Sequence, residues 1–176
     1  MDSVVVYETL RGNTRQIAHA VANVLAEHGT VEVLSVDEAN SASIPRVDLL
    51  VIGAPTHVWG MSWHWTRRIA NRSYDRADGA RVGIRDWLRQ VGPGHGQAGA
   101  AFDTEFRTAL GVGAASRAIA RRLRRRGYRL IDKPTRFAVE TTVGPLCEGE
   151  LARARQWAGE LVRRASIPPT VSTSQR

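Results

Sequence analysis

The sequence predicts an α/β three-layer sandwich, a parallel five-stranded sheet of order 2-1-3-4-5 with helices on both faces. Three observations point there. Residues 3–7 and 48–53 are continuous apolar runs without alternation, as expected of strands buried on both faces. The segments between them place apolar residues at helical spacing. Strand and helix alternate along the chain, the pattern of a parallel sheet covered on both sides.

The elements follow in order. Residues 3–7 form the first strand. A helical run over 15–27 aligns Ile17, Val21, Val24 and Leu25 on one face, with Ala18 and Ala22 beside them, and Gly29 stops it. Residues 31–34 are the second strand, 48–53 the third and 98–103 the fourth. Residues 129–131 and 137–139 are two pieces of a fifth, separated by Pro134, which cannot sit inside a central strand. Helices are expected over 63–71, 84–91, 114–126 and 148–165. The Gly92-Pro93-Gly94-His95-Gly96 stretch is a connection, because too little chain lies on either side for two cores. One domain is therefore expected over 1–166, followed by a Pro-, Ser- and Thr-rich tail over 167–176 without fixed structure.

The 43% apolar content of 176 residues supports a globular core. No apolar run approaches the roughly 18 residues that span a bilayer. Cys147 is the only cysteine, so no internal disulfide forms, and the N-terminus lacks the basic region of a signal peptide; both suit a cytoplasmic setting. The net charge is +8, and Lys133 is the only lysine. Such a chain suits anionic ligands or acidic partners. The densest basic run, Arg121-Arg122-Leu123-Arg124-Arg125-Arg126, reads first as a solvated helix face. Few aromatics interleave with it, which argues against nucleic acid.

Candidate chemistry gathers at two strand ends. After the first strand the chain reads Glu8-Thr9-Leu10-Arg11-Gly12-Asn13-Thr14 and enters a helix. The first amides of a helix lack intrahelical partners and carry the positive end of its dipole, so they suit a phosphate. Thr9 and Thr14 add hydroxyls, and Gly12 permits close backbone approach. The segment is not a P-loop, having no Gly-Lys-Ser/Thr, and not a dinucleotide fingerprint, having one glycine. After the third strand comes Gly53-Ala54-Pro55-Thr56-His57-Val58-Trp59-Gly60. With order 2-1-3-4-5, both loops flank the crevice where strand order reverses, the usual ligand site of open α/β sheets. Gly53 stands where a phospho-receiver of this fold needs an aspartate. Gly111-Val112-Gly113 reads as a helix-entry turn, and the five histidines with one cysteine show no metal spacing. Trp63 and Trp65 read as helix packing or a dimer contact.

On these residues the chain resembles the flavodoxin family. That family's phosphate loop follows Thr/Ser-x-Thr-Gly-x-Thr, and a later Trp-Gly packs on the flavin. Thr9, Gly12, Asn13 and Thr14 match the first, with Arg11 in place of the middle hydroxyl, and Trp59-Gly60 match the second. Phe102-Asp103-Thr104 and Gly144-Pro145-Leu146 add to the likeness, which spans residues 1–164. The resemblance implies an FMN-binding electron-transfer protein. Thr9, Leu10, Arg11, Gly12, Asn13 and Thr14 would hold the FMN phosphate. Pro55, Thr56, His57, Val58, Trp59 and Gly60 would line one side of the ring, and Asp103 and Thr104 the other. No catalytic side chain and no metal are implied. The implied partner is a redox protein or a small-molecule electron acceptor. An alternative of the same fold is an FMN-dependent oxidoreductase acting on a quinone or a protoporphyrinogen-like substrate; a third is an interaction module without flavin.

Three departures from the family pattern carry weight. Arg11 either pairs with the phosphate or points to solvent, and His57 either donates to the flavin or to a bound substrate, or packs. No Tyr follows Asp103, so Phe106 covers the second ring face or leaves it open. Members of the family are usually acidic, whereas this chain is basic. A cationic surround favours the anion of reduced flavin, so a less negative two-electron potential is expected.

Overall fold

The computed structural model describes residues 1–39, 44, 46–56, 83–106, 114–141 and 144–167. Its elements are β1 (Ser3–Tyr7), α1 (Asn13–Ala26), β2 (Val31–Ser35), β3 (Leu49–Pro55), α2 (Ile84–Gln90), β4 (Ala98–Phe106), α3 (Ala115–Arg125), β5 (Arg129–Leu130), β6 (Thr135–Val139) and α4 (Glu150–Ala165). The expected helix over 63–71 lies outside the described residues, as do residues 168–176 of the expected tail.

All pairings between these strands are parallel, in the order β2-β1-β3-β4-β5, with β6 also on β4. β5 and β6 share one edge of β4. Ala98 and Gly99 pair with Arg129 and Leu130, and Phe102 to Phe106 pair with Thr135 to Val139. The fifth position of the sheet is thus one strand in two pieces, split around Pro134 as its missing amide requires. β4 runs three residues beyond its expected end, because Glu105 and Phe106 keep pairing with Ala138 and Val139.

The sheet divides the core in two. Val4, Val6, Leu50, Ile52 and Ala101 face α2 and α3, meeting Ile84, Leu88, Ile119 and Leu123. Val5, Leu49, Val51 and Ala100 face α1 and α4, meeting Ile17, Val21, Leu25, Ala158 and Leu161. Alternate residues of one strand point to opposite faces, so both parities must be apolar, and β1 is buried throughout. Phe102, Phe137 and Trp157 pack edge to face, with ring centroids 5.9–6.0 Å apart, and lock α4 against β4 and β6. The Trp157 indole donates to Asp132 at 2.8 Å, which lets this large ring be buried without an orphaned N–H. The layers bring the carboxyl ends of β1, β3 and β4 together beside the starts of α1, α2 and α3.

Candidate functional site

The Glu8 amide donates to the Gly53 carbonyl at 2.9 Å, carrying the β1–β3 pairing into the loop that follows β1. Gly53 has no room for a side chain: a Cβ there would fall 2.1 Å from the Phe102 ring. The chain then turns through Gly12 at φ +83°, a conformation that only glycine adopts without strain. The Thr9 hydroxyl accepts the Gly12 amide at 3.0 Å and draws the loop tight. Asn13 donates its side-chain amide to the Gly144 carbonyl at 2.8 Å, tying the loop to the chain before α4. Thr14, buried at the start of α1, pairs its hydroxyl with that of Thr104 at 2.8 Å.

Those bonds join segments that the sequence places far apart. Thr9, Leu10, Arg11, Gly12, Asn13 and Thr14 form one loop on the end of β1. Pro55 lies opposite Thr104 in the β3–β4 register, and Ala54 opposite Asp103. The Thr56 amide donates to the Thr104 carbonyl at 2.9 Å. His57, Val58, Trp59 and Gly60 lie outside the described residues.

Three buried carboxylates stand around these ends. Glu8 is fully buried and accepts the Ile84 amide at 2.9 Å, capping α2. Asp103 is equally buried and accepts the Ser116 amide at 2.8 Å at the start of α3, while Thr56 accepts the neighbouring Ala115 amide. Glu105 pairs with Arg136 at 2.9 Å. Burial pushes the Asp103 carboxyl above its ordinary value, and hydrogen bonds from Ser116 and Thr56 oppose the rise. Glu105 adds to it by charge repulsion. One Asp103 oxygen has no hydrogen-bond partner among the described residues.

The helix starts therefore differ in kind. A carboxylate from an earlier strand end occupies the starts of α2 and α3, and Glu150 stands in the first turn of α4, where it accepts the Ala138 amide at 3.1 Å. α1 has no side-chain cap and no acid in its first turn. It carries cations instead. Arg11 lies in the loop, and a Cβ on Gly12 would stand 3.7 Å from the Arg15 guanidinium, so Arg15 folds back over the turn. The donor set at α1 fits an oxyanion: amides at a helix start, a Thr9 hydroxyl whose proton has no acceptor among the described residues, and two arginines.

The comparisons agree with this arrangement. Residues 4–70 match the family model described as a flavodoxin domain. That stretch, from β1 to beyond β3, is therefore similar to a flavodoxin domain. Oxidised flavodoxin 1 from Bacillus cereus superposes with a TM-score of 0.67 at 17% identity, covering 93% of this chain and 98% of that one. A flavodoxin from the domain Archaea gives a TM-score of 0.65 at 18% identity, covering 95% of this chain and all of the other. The flavodoxin of Streptococcus pneumonia TIGR4 gives 0.67 at 15% identity, covering 93% and 99%. At these identities the likeness is one of fold. The comparison with curated proteins returns no match.

Sequence reasoning missed Glu8, Arg15 and Ser116. Two signals pointed to the caps. α2 starts after Gly83 and α3 after Ala114, neither of which has a capping side chain, so their amides must be satisfied from elsewhere.

Proposed function

We propose that this protein binds FMN noncovalently and transfers electrons through it. The observation that carries the reading is the start of α1. It follows the Thr-, Gly- and Asn-bearing loop at the switch point of the sheet, and it lacks the acid that the other described helices receive. A carboxylate there would repel a phosphate; its absence, with Arg11 and Arg15 alongside, suits one.

In this reading the amides of α1 and the Thr9 hydroxyl hold the phosphate, and Arg11 adds a charge-assisted contact. If Thr104 donates to Thr14, Thr14 keeps its own proton for a phosphate oxygen. Pro55, Thr56, His57, Val58, Trp59 and Gly60 line one side of the ring, and Asp103 and Thr104 the other. Phe106, 36% exposed at the end of β4, is an aromatic surface available on that side. The flavin supplies the redox chemistry, and the chain's part is to bind and orient it and to set its electrostatic surroundings. Arg11 and Arg15 favour an anionic reduced ring, whereas buried Glu8 and Glu105 oppose it. The potential therefore reflects local charges rather than the net +8.

The test is purification followed by an absorption spectrum and titration of the flavin-free protein with FMN. Saturable binding with a perturbed flavin spectrum supports the reading, and no binding at tens of micromolar FMN overturns it. Reduction that needs a partner reductase supports a carrier. Steady quinone turnover with a nicotinamide donor alone replaces the carrier by an enzyme.

A further inference from the structure

Between α2 and α3 runs a groove of about 240 Å³, walled by Arg85 and Arg89 from one helix and Arg121, Arg122 and Arg125 from the other. Leu88 and Ala118 lie between the walls. No acid is among the lining residues described. Part of this basicity serves the fold. Arg122 donates to the Leu88 carbonyl, and Arg126, below the groove, donates to that of Arg89. Both satisfy carbonyls at the end of α2, where a cation also meets the negative end of the dipole. Arg89 pairs with Asp86 at 3.1 Å on an exposed surface. Arg121 and Arg125 serve neither purpose: both are exposed, and neither forms a hydrogen bond or ion pair among the described residues.

Like charges gathered in one recess repel one another, and an anionic ligand seated there would offset that repulsion. The spacing indicates which. Arg85 and Arg89 are four residues apart, as are Arg121 and Arg125, so each wall carries arginines rooted about 6 Å apart along its helix. Alternate side chains of an extended segment repeat at about 6.6 Å, and carboxylates so placed can take bidentate guanidinium contacts. No aromatic ring lines the recess to stack a base, which disfavours nucleic acid and nucleotides. We propose that the α2–α3 groove docks a carboxylate-rich segment of a partner protein. One wall of the groove begins at Arg85, the residue after Ile84, whose amide Glu8 holds at the root of the α1 loop. That the docked protein exchanges electrons rests on the FMN reading; the docking itself does not.

The experiment uses the full chain and a fluorescein-labelled twelve-residue Glu-rich peptide, titrated by anisotropy at low salt with and without FMN. The key variant is Arg121→Glu/Arg125→Glu. Its control is Arg117→Glu/Arg124→Glu, which makes the same change in net charge on exposed α3 positions outside the groove. The groove pair is expected to weaken peptide binding at least tenfold, and the control pair less than threefold. Arg121→Gln/Arg125→Gln, which adds no repulsion, should still lose severalfold and covers the case in which charge reversal disturbs the fold. Equal losses in the groove and control pairs overturn the proposal, because net charge alone then explains binding. Tighter binding of inorganic pyrophosphate or of a mixed-sequence DNA duplex than of the peptide, lost in the groove variant, also overturns it. Peptide binding without FMN binding would remove the flavin reading and leave the docking surface standing.

Discussion

The buried hydroxyl pair of Thr14 and Thr104 joins the α1 loop to β4, and its removal should be felt in stability. Thr14→Val keeps the shape of the side chain but leaves the Thr104 hydroxyl without its 2.8 Å partner, at sites only 1% and 4% exposed. An unsatisfied buried hydroxyl costs about 1–3 kcal/mol. At this chain length each kcal/mol lowers the melting temperature by roughly 2–4 °C. Thr104→Val should cost a similar amount. The double variant Thr14→Val/Thr104→Val removes both polar groups and should cost well under the sum of the singles, with a coupling of about 1 kcal/mol or more. Urea unfolding of the four proteins measures the cycle. Additive losses would refute the pairing as the link between loop and strand. Affinities of Thr14→Val for FMN and riboflavin extend the test: a larger loss for FMN places this hydroxyl beside phosphate, and equal losses for both remove the loop assignment.

Other expectations follow from the same geometry. Asp103 has a raised folded-state value, so its stabilising contribution is complete below the ordinary 3.8 and is lost as pH rises through that raised value. The stability of the native protein relative to Asp103→Asn should therefore fall as pH rises through this window, and urea midpoints showing a constant difference would contradict it. Gly53→Ala forces a methyl into the Phe102 ring, and overpacking of this kind costs about 1–3 kcal/mol. An unchanged melting temperature would contradict that packing. Arg11→Gln should weaken FMN roughly tenfold or more, as loss of a charge-assisted hydrogen bond does, with little effect on riboflavin. Unchanged FMN affinity in titrations would show that Arg11 faces solvent.

The fold was legible because its signals are local. The Val4-Val5-Val6 run, the apolar face of Ile17, Val21 and Leu25, and Pro134 between two short runs each reveal themselves within a few residues. The end of β4 was not legible, because Thr104-Glu105-Phe106 has a loop's composition and becomes strand only through pairing with β6. The candidate site was read from the sequence as two loops, of which the second lies outside the described residues beyond Thr56, and its internal wiring was not legible. Glu8 caps a helix 76 residues downstream, Asp103 one 13 residues downstream, and Thr14 finds its partner 90 residues away. A cap is recognisable in sequence when it directly precedes its helix. Here strand ends supply the caps, and only the three-layer arrangement brings strand end and helix start together.

The account centres on the start of α1 as the grip on a phosphate. The most direct measurement compares FMN and riboflavin binding to the flavin-free protein under identical conditions, since the two ligands differ only in that group. The account predicts that FMN binds at least tenfold more tightly and that added salt narrows the gap, because phosphate is held by amides, hydroxyls and arginine charge. Equal affinity for the two flavins would contradict it.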